Sequence, residues 1–106
     1  GALDGKSFTV EIARRGPKTK TSPDELVFAD GKFRSTAHDK LGFGETAYTS
    51  AASGTKTAFD ATAKSAKQGV MTWKGTVDGD AISGEMTWNR TRRTPVRYWF
   101  KGTLKK

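Results

Sequence analysis

Between Gln68 and Asn89, apolar and polar positions alternate on either side of Asp78-Gly79. Met71, Trp73, Gly75 and Val77 share one face of the first arm, and Ile82, Gly84, Met86 and Trp88 one face of the second. Thr72, Lys74, Thr76, Ser83, Glu85 and Thr87 take the other face. A period of two centred on an Asp-Gly pair is the sequence signal of a β-hairpin. With Asp78 and Gly79 in the turn, Val77 is expected opposite Asp80, Trp73 opposite Gly84 and Met71 opposite Met86.

The pattern continues along the chain. Phe8, Val10 and Ile12 alternate with Thr9 and Glu11, which predicts a first strand over 7–13. Strands over 25–29 and 32–37 flank Asp30-Gly31, setting Phe28 opposite Phe33 and Leu26 opposite Ser35. Strands over 46–52 and 55–63 flank Ser53-Gly54, with Tyr48 opposite Phe59. The arms of the Asp78-Gly79 hairpin are strands six and seven. An eighth strand covers 95–104, with Val96, Tyr98, Phe100 and Leu104 on one face. Segment 38–45 has Gly42 and Gly44 around Phe43 and reads as a loop or a single helical turn. No segment sustains a helical period. The prediction is an all-β fold: an eight-stranded antiparallel up-and-down barrel, a lipocalin-like meander, forming one domain over 1–106. Closing the last strand onto the first removes both exposed edges. A two-sheet sandwich of the same strands is the alternative.

One long connection after the first strand, then tight hairpins alternating with longer connections, resembles the calycin barrels: lipocalins, fatty-acid-binding proteins and avidins. The opening Leu3-Asp4-Gly5-Lys6-Ser7-Phe8 is similar to the Gly-x-Trp start of a lipocalin, with Ser7 in the place of Trp and Phe8 one position later. Trp73 and Trp88, on successive strands, look avidin-like. No helix follows the eighth strand, unlike lipocalins, and none lies between strands one and two, unlike fatty-acid-binding proteins. The resemblance implies a small-molecule binder.

Composition narrows the chemistry. The 106 residues include no cysteine, which excludes disulfides and thiolate metal sites. No apolar run approaches the ~20 residues of a membrane-spanning helix. Gly1 is not a natural start, so the chain is expected to be the mature part of a secreted or periplasmic protein. The net charge of +8 favours anionic partners. That charge is unevenly placed. The long connections (14–24, 38–45, 64–69 and 90–94) hold ten basic residues against three acidic ones, a surplus of +7. They carry Arg14, Arg15, Lys18, Lys20, Lys40, Lys64, Lys67, Arg90, Arg92 and Arg93. In an up-and-down barrel these connections share one end, so the surplus gathers over one mouth.

Inward residues sort by end as well. Phe8, Phe28, Phe33, Trp73 and Phe100, with the inward glycines Gly75, Gly84 and Gly102, are expected to plug the tight-turn end. Toward the mouth the small Ser35, Ala37, Ala61 and Ala63 leave volume. Ile12, Tyr48, Met71, Trp88 and Tyr98 are expected to wall it and Phe43 to cap it. Alternation puts Trp99 outside, beside Arg97 and Lys101, either as an exposed platform or covered by the stems of those two residues or by a dimer contact.

Catalysis finds no constellation. His38 is the single histidine, without a nucleophile at a matching spacing, and Glu11, Asp60 and Glu85 point outward. His38-Asp39 is the nearest approach to a metal-ligating pair, and no cofactor fingerprint is present. Asn89-Arg90-Thr91 matches a glycosylation acceptor. The expected function is therefore a non-enzymatic binding protein for a small amphipathic or anionic molecule in the mouth. Its apolar body would lie among Ile12, Tyr48, Met71, Trp88, Tyr98 and Phe43, and its acidic head would meet Arg14, Arg15, Arg90, Arg92 or Arg93. The alternative is a surface module that binds a polyanion or a protein through the basic rim and Trp99, with nucleic acid a less favoured partner. The chain is expected as a monomer or homodimer.

Overall fold

The computed structural model describes residues 1–16 and 19–105. Lys18, one of the rim cations, lies outside them. Eight antiparallel strands close into a barrel in sequence order: β1 Lys6–Arg14, β2 Ser22–Ala29, β3 Lys32–Ser35, β4 Thr46–Ser53, β5 Lys56–Ser65, β6 Gly69–Asp78, β7 Ala81–Asn89 and β8 Val96–Leu104. A 3-10 helix, Thr36–Leu41, lies between β3 and β4. The expected up-and-down barrel is the observed one, and β1 closes on β8 from Phe8↔Leu104 to Arg14↔Tyr98. Glu11, Asp60, Lys74, Glu85 and Lys101 line the outer wall and aromatic rings fill the inside. A lipid-facing barrel has the reverse arrangement. Among the described residues no helix is long and apolar enough to cross a membrane.

The first hairpin has its predicted register, Phe28↔Phe33 and Leu26↔Ser35, around Asp30 (φ 54°) and Gly31 (φ 74°). Two positive φ angles in succession give the turn twist that suits a two-residue hairpin. The other two hairpins slip by two residues. Val77 faces Ile82, Trp73 faces Met86 and Met71 faces Trp88, with Gly79-Asp80 in the turn. Tyr48 faces Ala61, not Phe59, around Gly54-Thr55. In both the glycine takes the first turn position, at φ 60° and 62°. Faces repeat every two residues, so a slip of two leaves every side chain on its predicted side.

The ring is staggered, and this relocates Tyr48. One register line runs from Arg14 through Tyr98, Met86, Trp73 and Ala61 to Tyr48. The Tyr48 N–H then reaches the Gly31 carbonyl at 3.2 Å. By extension of the β1/β2 register, position 30 beside it faces position 4. The line leaves β1 at 14 and returns at 4, a stagger of ten residues, as closure of a tilted barrel requires. Tyr48 therefore sits at the tight-turn end. Its hydroxyl donates to Asp4 Oδ1 at 2.7 Å and accepts from the Leu3 N–H at 3.0 Å, while Asp4 Oδ1 also accepts from the Gly31 N–H at 2.9 Å. Leu3 is buried there as a plug. The N-terminal ammonium, then the Tyr48 hydroxyl, hold the Asp4 carboxyl down at about 2. Tyr48→Phe removes one partner from each neighbour. It is expected to lower stability by about 1.5 kcal/mol in urea unfolding, and an unchanged midpoint would contradict this account of the plug.

The interior is packed along its length. Phe28 contacts the rings of Phe8, Phe33, Tyr48 and Phe59, and Trp73 contacts Phe33, Phe100 and His38. Trp88 meets His38 and Phe43 nearer the mouth. The volume expected above Ser35, Ala61 and Ala63 is thus occupied. The chain leaves β3 after Ser35 rather than after Ala37, and the following segment drops His38 and Phe43 onto the rings. Gly42, at φ 87°, ends the 3-10 helix and turns the chain so that Phe43 enters.

Candidate functional site

Two pockets form at the end that carries the long connections. The first lies between the β5–β6 and β7–β8 connections and measures about 470 Å³. Lys64, Lys67, Arg90 and Arg93 line it with Ser65, Gln68, Gly69 and Thr91, and no acidic residue does. None of the four cations has a carboxylate partner among the described residues.

Local structure brings these cations together. Gly69 has φ 97°, and a Cβ there would stand 2.2 Å from the Asn89 carbonyl oxygen, so only glycine lets the two connections meet. The Trp88 indole N–H donates to the Gln68 carbonyl at 2.7 Å and ties them further. The Arg90 guanidinium carbon lies 4.1 Å over the Trp88 ring. Such a cation–π contact is worth about 0.5–1 kcal/mol at an exposed site and fixes the planar group. The Arg93 N–H bonds the Arg90 carbonyl at 3.1 Å across a turn in which Arg92 takes φ 63°. A fixed guanidinium with a second one and two ammonium groups nearby is chemistry for an oxyanion.

The second pocket, about 280 Å³, lies between β1, β2, β8 and the 3-10 helix. Ile12, Arg14, Lys20, Pro23, Ala37, His38 and Tyr98 line it with Ala13 and Ser22. Below it is a buried polar chain. Asp24 has a fully buried side chain. Its oxygens accept from the Ser35 hydroxyl, the Glu25 N–H at 2.7 Å, the Ala37 N–H at 2.9 Å and the Thr36 hydroxyl at 3.5 Å. Ser35 Oγ lies 2.7 Å from His38 Nδ1. Burial pushes the His38 imidazole below its ordinary value, against the opposing pull of Asp24 and Asp39.

No protein-family model, curated protein or solved structure matches this chain.

The predicted site residues divide into groups. Arg90 and Arg93 line the first pocket, and Ile12, Arg14 and Tyr98 the second. Met71, Phe43 and Trp88 pack in the core beneath. Tyr48 is at the opposite pole. Arg15 turns onto the outer wall and pairs with Glu85. Arg92 lies in the β7–β8 connection and lines neither pocket.

Of the two readings of Trp99 the covered one agrees with the structure: it is half-buried, and no large hydrophobic residue is exposed among those described. It pairs across the sheet with Ala13, an outward residue only 3 % exposed, and Lys101 Nζ lies 5.6 Å from its ring centre. Its neighbours on the outer face thus cover it.

Sequence reasoning included Lys64, Lys67 and Lys20 in the rim charge without assigning them a site. It passed over the partnership of Asp24, Ser35 and His38, because Asp24 falls eleven residues before Ser35 and nothing in the pattern announces a buried carboxylate. Among the described residues no group of three or more His, Cys, Asp or Glu gathers as a metal site.

Proposed function

We propose that this chain is a binding module, without chemistry of its own, for a multiply charged oxyanion held by Lys64, Lys67, Arg90 and Arg93. The observation that carries the reading is the convergence of four cations on one pocket without a carboxylate. Charges of one sign held close together are relieved by a counter-ion, and arginine and lysine match phosphate or sulfate oxygens. A nucleic-acid strand is less well served. Binding a strand commonly uses bare aromatic faces for stacking, and the rings of Trp88 and Trp99 are each approached by a cation. An amphiphile with its tail in the bore is disfavoured by the packed rings. Kinship to the calycin barrels belongs to the same proposal, supported by closure of eight strands in up-and-down order.

Calorimetric titration with inorganic pyrophosphate tests the reading. The wild type is expected to bind, more weakly as salt rises. Arg90→Gln with Arg93→Gln is expected to weaken binding at least about tenfold, since each charge-assisted hydrogen bond contributes about 1.5–3 kcal/mol. Equal affinity in the double variant would refute the assignment.

A further inference from the structure

We propose that the pocket at His38 is a second and separate site, for a compact hydroxy acid: one carboxylate, one hydroxyl donor and a small apolar body. It shares no lining residue with the four-cation pocket and does not depend on it.

The hydrogen bonds under the pocket fix what His38 offers. A serine hydroxyl has one proton. Ser35 gives that proton to the buried Asp24 carboxylate, so its oxygen is left to accept. The partner at 2.7 Å, His38 Nδ1, must then carry the ring proton. Nε2 is left with a lone pair. It has no hydrogen-bond partner among the described residues, and it is not among the buried unpaired atoms, so it is open to solvent. An accessible acceptor on a neutral ring calls for a donor, and a ligand hydroxyl supplies one.

The rest of the lining sets the remaining chemistry. Arg14 from β1 and Lys20 from the β1–β2 connection bring positive charge, with no acidic residue in the lining. Neither has an ion-pair partner among the described residues. Asp39, the carboxylate nearest along the chain, is held by Arg34 Nε at 3.5 Å. Ile12, Pro23, Ala37 and Tyr98 give an apolar wall. The volume of about 280 Å³ is just under the ~300–1,000 Å³ of ordinary ligand pockets, which suits a compact molecule.

The test uses the whole chain and three probes: 3-hydroxybenzoate, 3-methoxybenzoate and benzoate. Tryptophan fluorescence reads binding, because the His38 ring is 6.0 Å from Trp73 and 6.4 Å from Trp88. Nitrogen-15 shifts of His38 read the tautomer and the new hydrogen bond. The hydroxy probe is expected to bind about tenfold more tightly than the other two, the effect of one hydrogen bond to a group otherwise left unpaired. The free protein should show Nδ1 protonated, and the Nε2 resonance should move with 3-hydroxybenzoate alone. Arg14→Gln, at an exposed position, should weaken all three probes alike, and Lys32→Gln, exposed at the tight-turn end, should leave all three unchanged. Equal affinity for the three probes, an Nε2-protonated ring in the free protein, or no binding of 3-hydroxybenzoate would each overturn the proposal.

Discussion

Gly102→Ala is expected to lower the unfolding free energy by about 3 kcal/mol, near the top of the usual range for overpacking. A Cβ at Gly102 would stand 2.0 Å from the Thr9 carbonyl oxygen and 2.6 Å from Val10 Cα. Both obstacles are backbone atoms of β1, the strand that closes the ring, so no side-chain rotation relieves them. Gly84 faces the same obstruction from β6, with the Lys74 oxygen at 2.2 Å and Gly75 Cα at 2.5 Å. The space over Gly84 is not empty: Phe100 Cζ lies 2.7 Å from the position its Cβ would take. Glycine lets the strands approach and coil, and the ring fills the gap. Gly44→Ala is the control, since Gly44 has no neighbour within 4 Å and no positive φ. It should change stability by less than about 0.5 kcal/mol. Urea unfolding of both variants checks the pair, and equal midpoints would contradict the close-approach argument.

Asp24→Ala is expected to be comparably damaging, at about 3 kcal/mol. The carboxylate is fully buried and accepts from two backbone N–H groups and two hydroxyls. Alanine leaves the buried Ser35 hydroxyl and three part-buried donors without that acceptor, the costly side of removing a hydrogen bond. Asp24→Asn retains one oxygen and should lose less. The same cluster gives stability a pH dependence. The folded state holds His38 below its unfolded value of 6.5. As pH falls through 6.5 the unfolded chain takes up the proton first, so this contribution is full above that pH and declines below it. A denaturation series from pH 8 to pH 5 reads the decline, and its slope should be reduced in His38→Gln.

The strands were legible because alternation is a local property. Phe8-Thr9-Val10-Glu11-Ile12 and Met71 through Val77 each point their apolar residues inward without help from the rest of the fold. Register was legible only at Asp30-Gly31, where both turn residues take positive φ. At Gly54 and Gly79 the correct register and its two-residue slip bury the same side chains, so the pattern cannot choose between them. Tyr48 was misplaced for a global reason. Its position depends on a stagger accumulated around the whole ring, and no single hairpin contains that quantity. The mouth is filled because 38–45, a loop by its glycines, also supplies core residues, and because the third strand ends at Ser35 instead of reaching Ala37; Phe43 is as apolar as any strand residue. Rim charge was the most legible feature of the candidate site, because alternate connections of an up-and-down barrel share a pole. Which cations converge was not legible, since it depends on Gly69 and on the Trp88–Gln68 hydrogen bond.

Amide chemical-shift mapping during a pyrophosphate titration is the most direct measurement of the central claim. The account predicts shifts concentrated in 64–69 and 90–94, fading as salt rises, with the Asp30-Gly31 and Gly79-Asp80 turns unmoved. Shifts spread evenly over the basic surface, or an absence of shifts in those two connections, would contradict it.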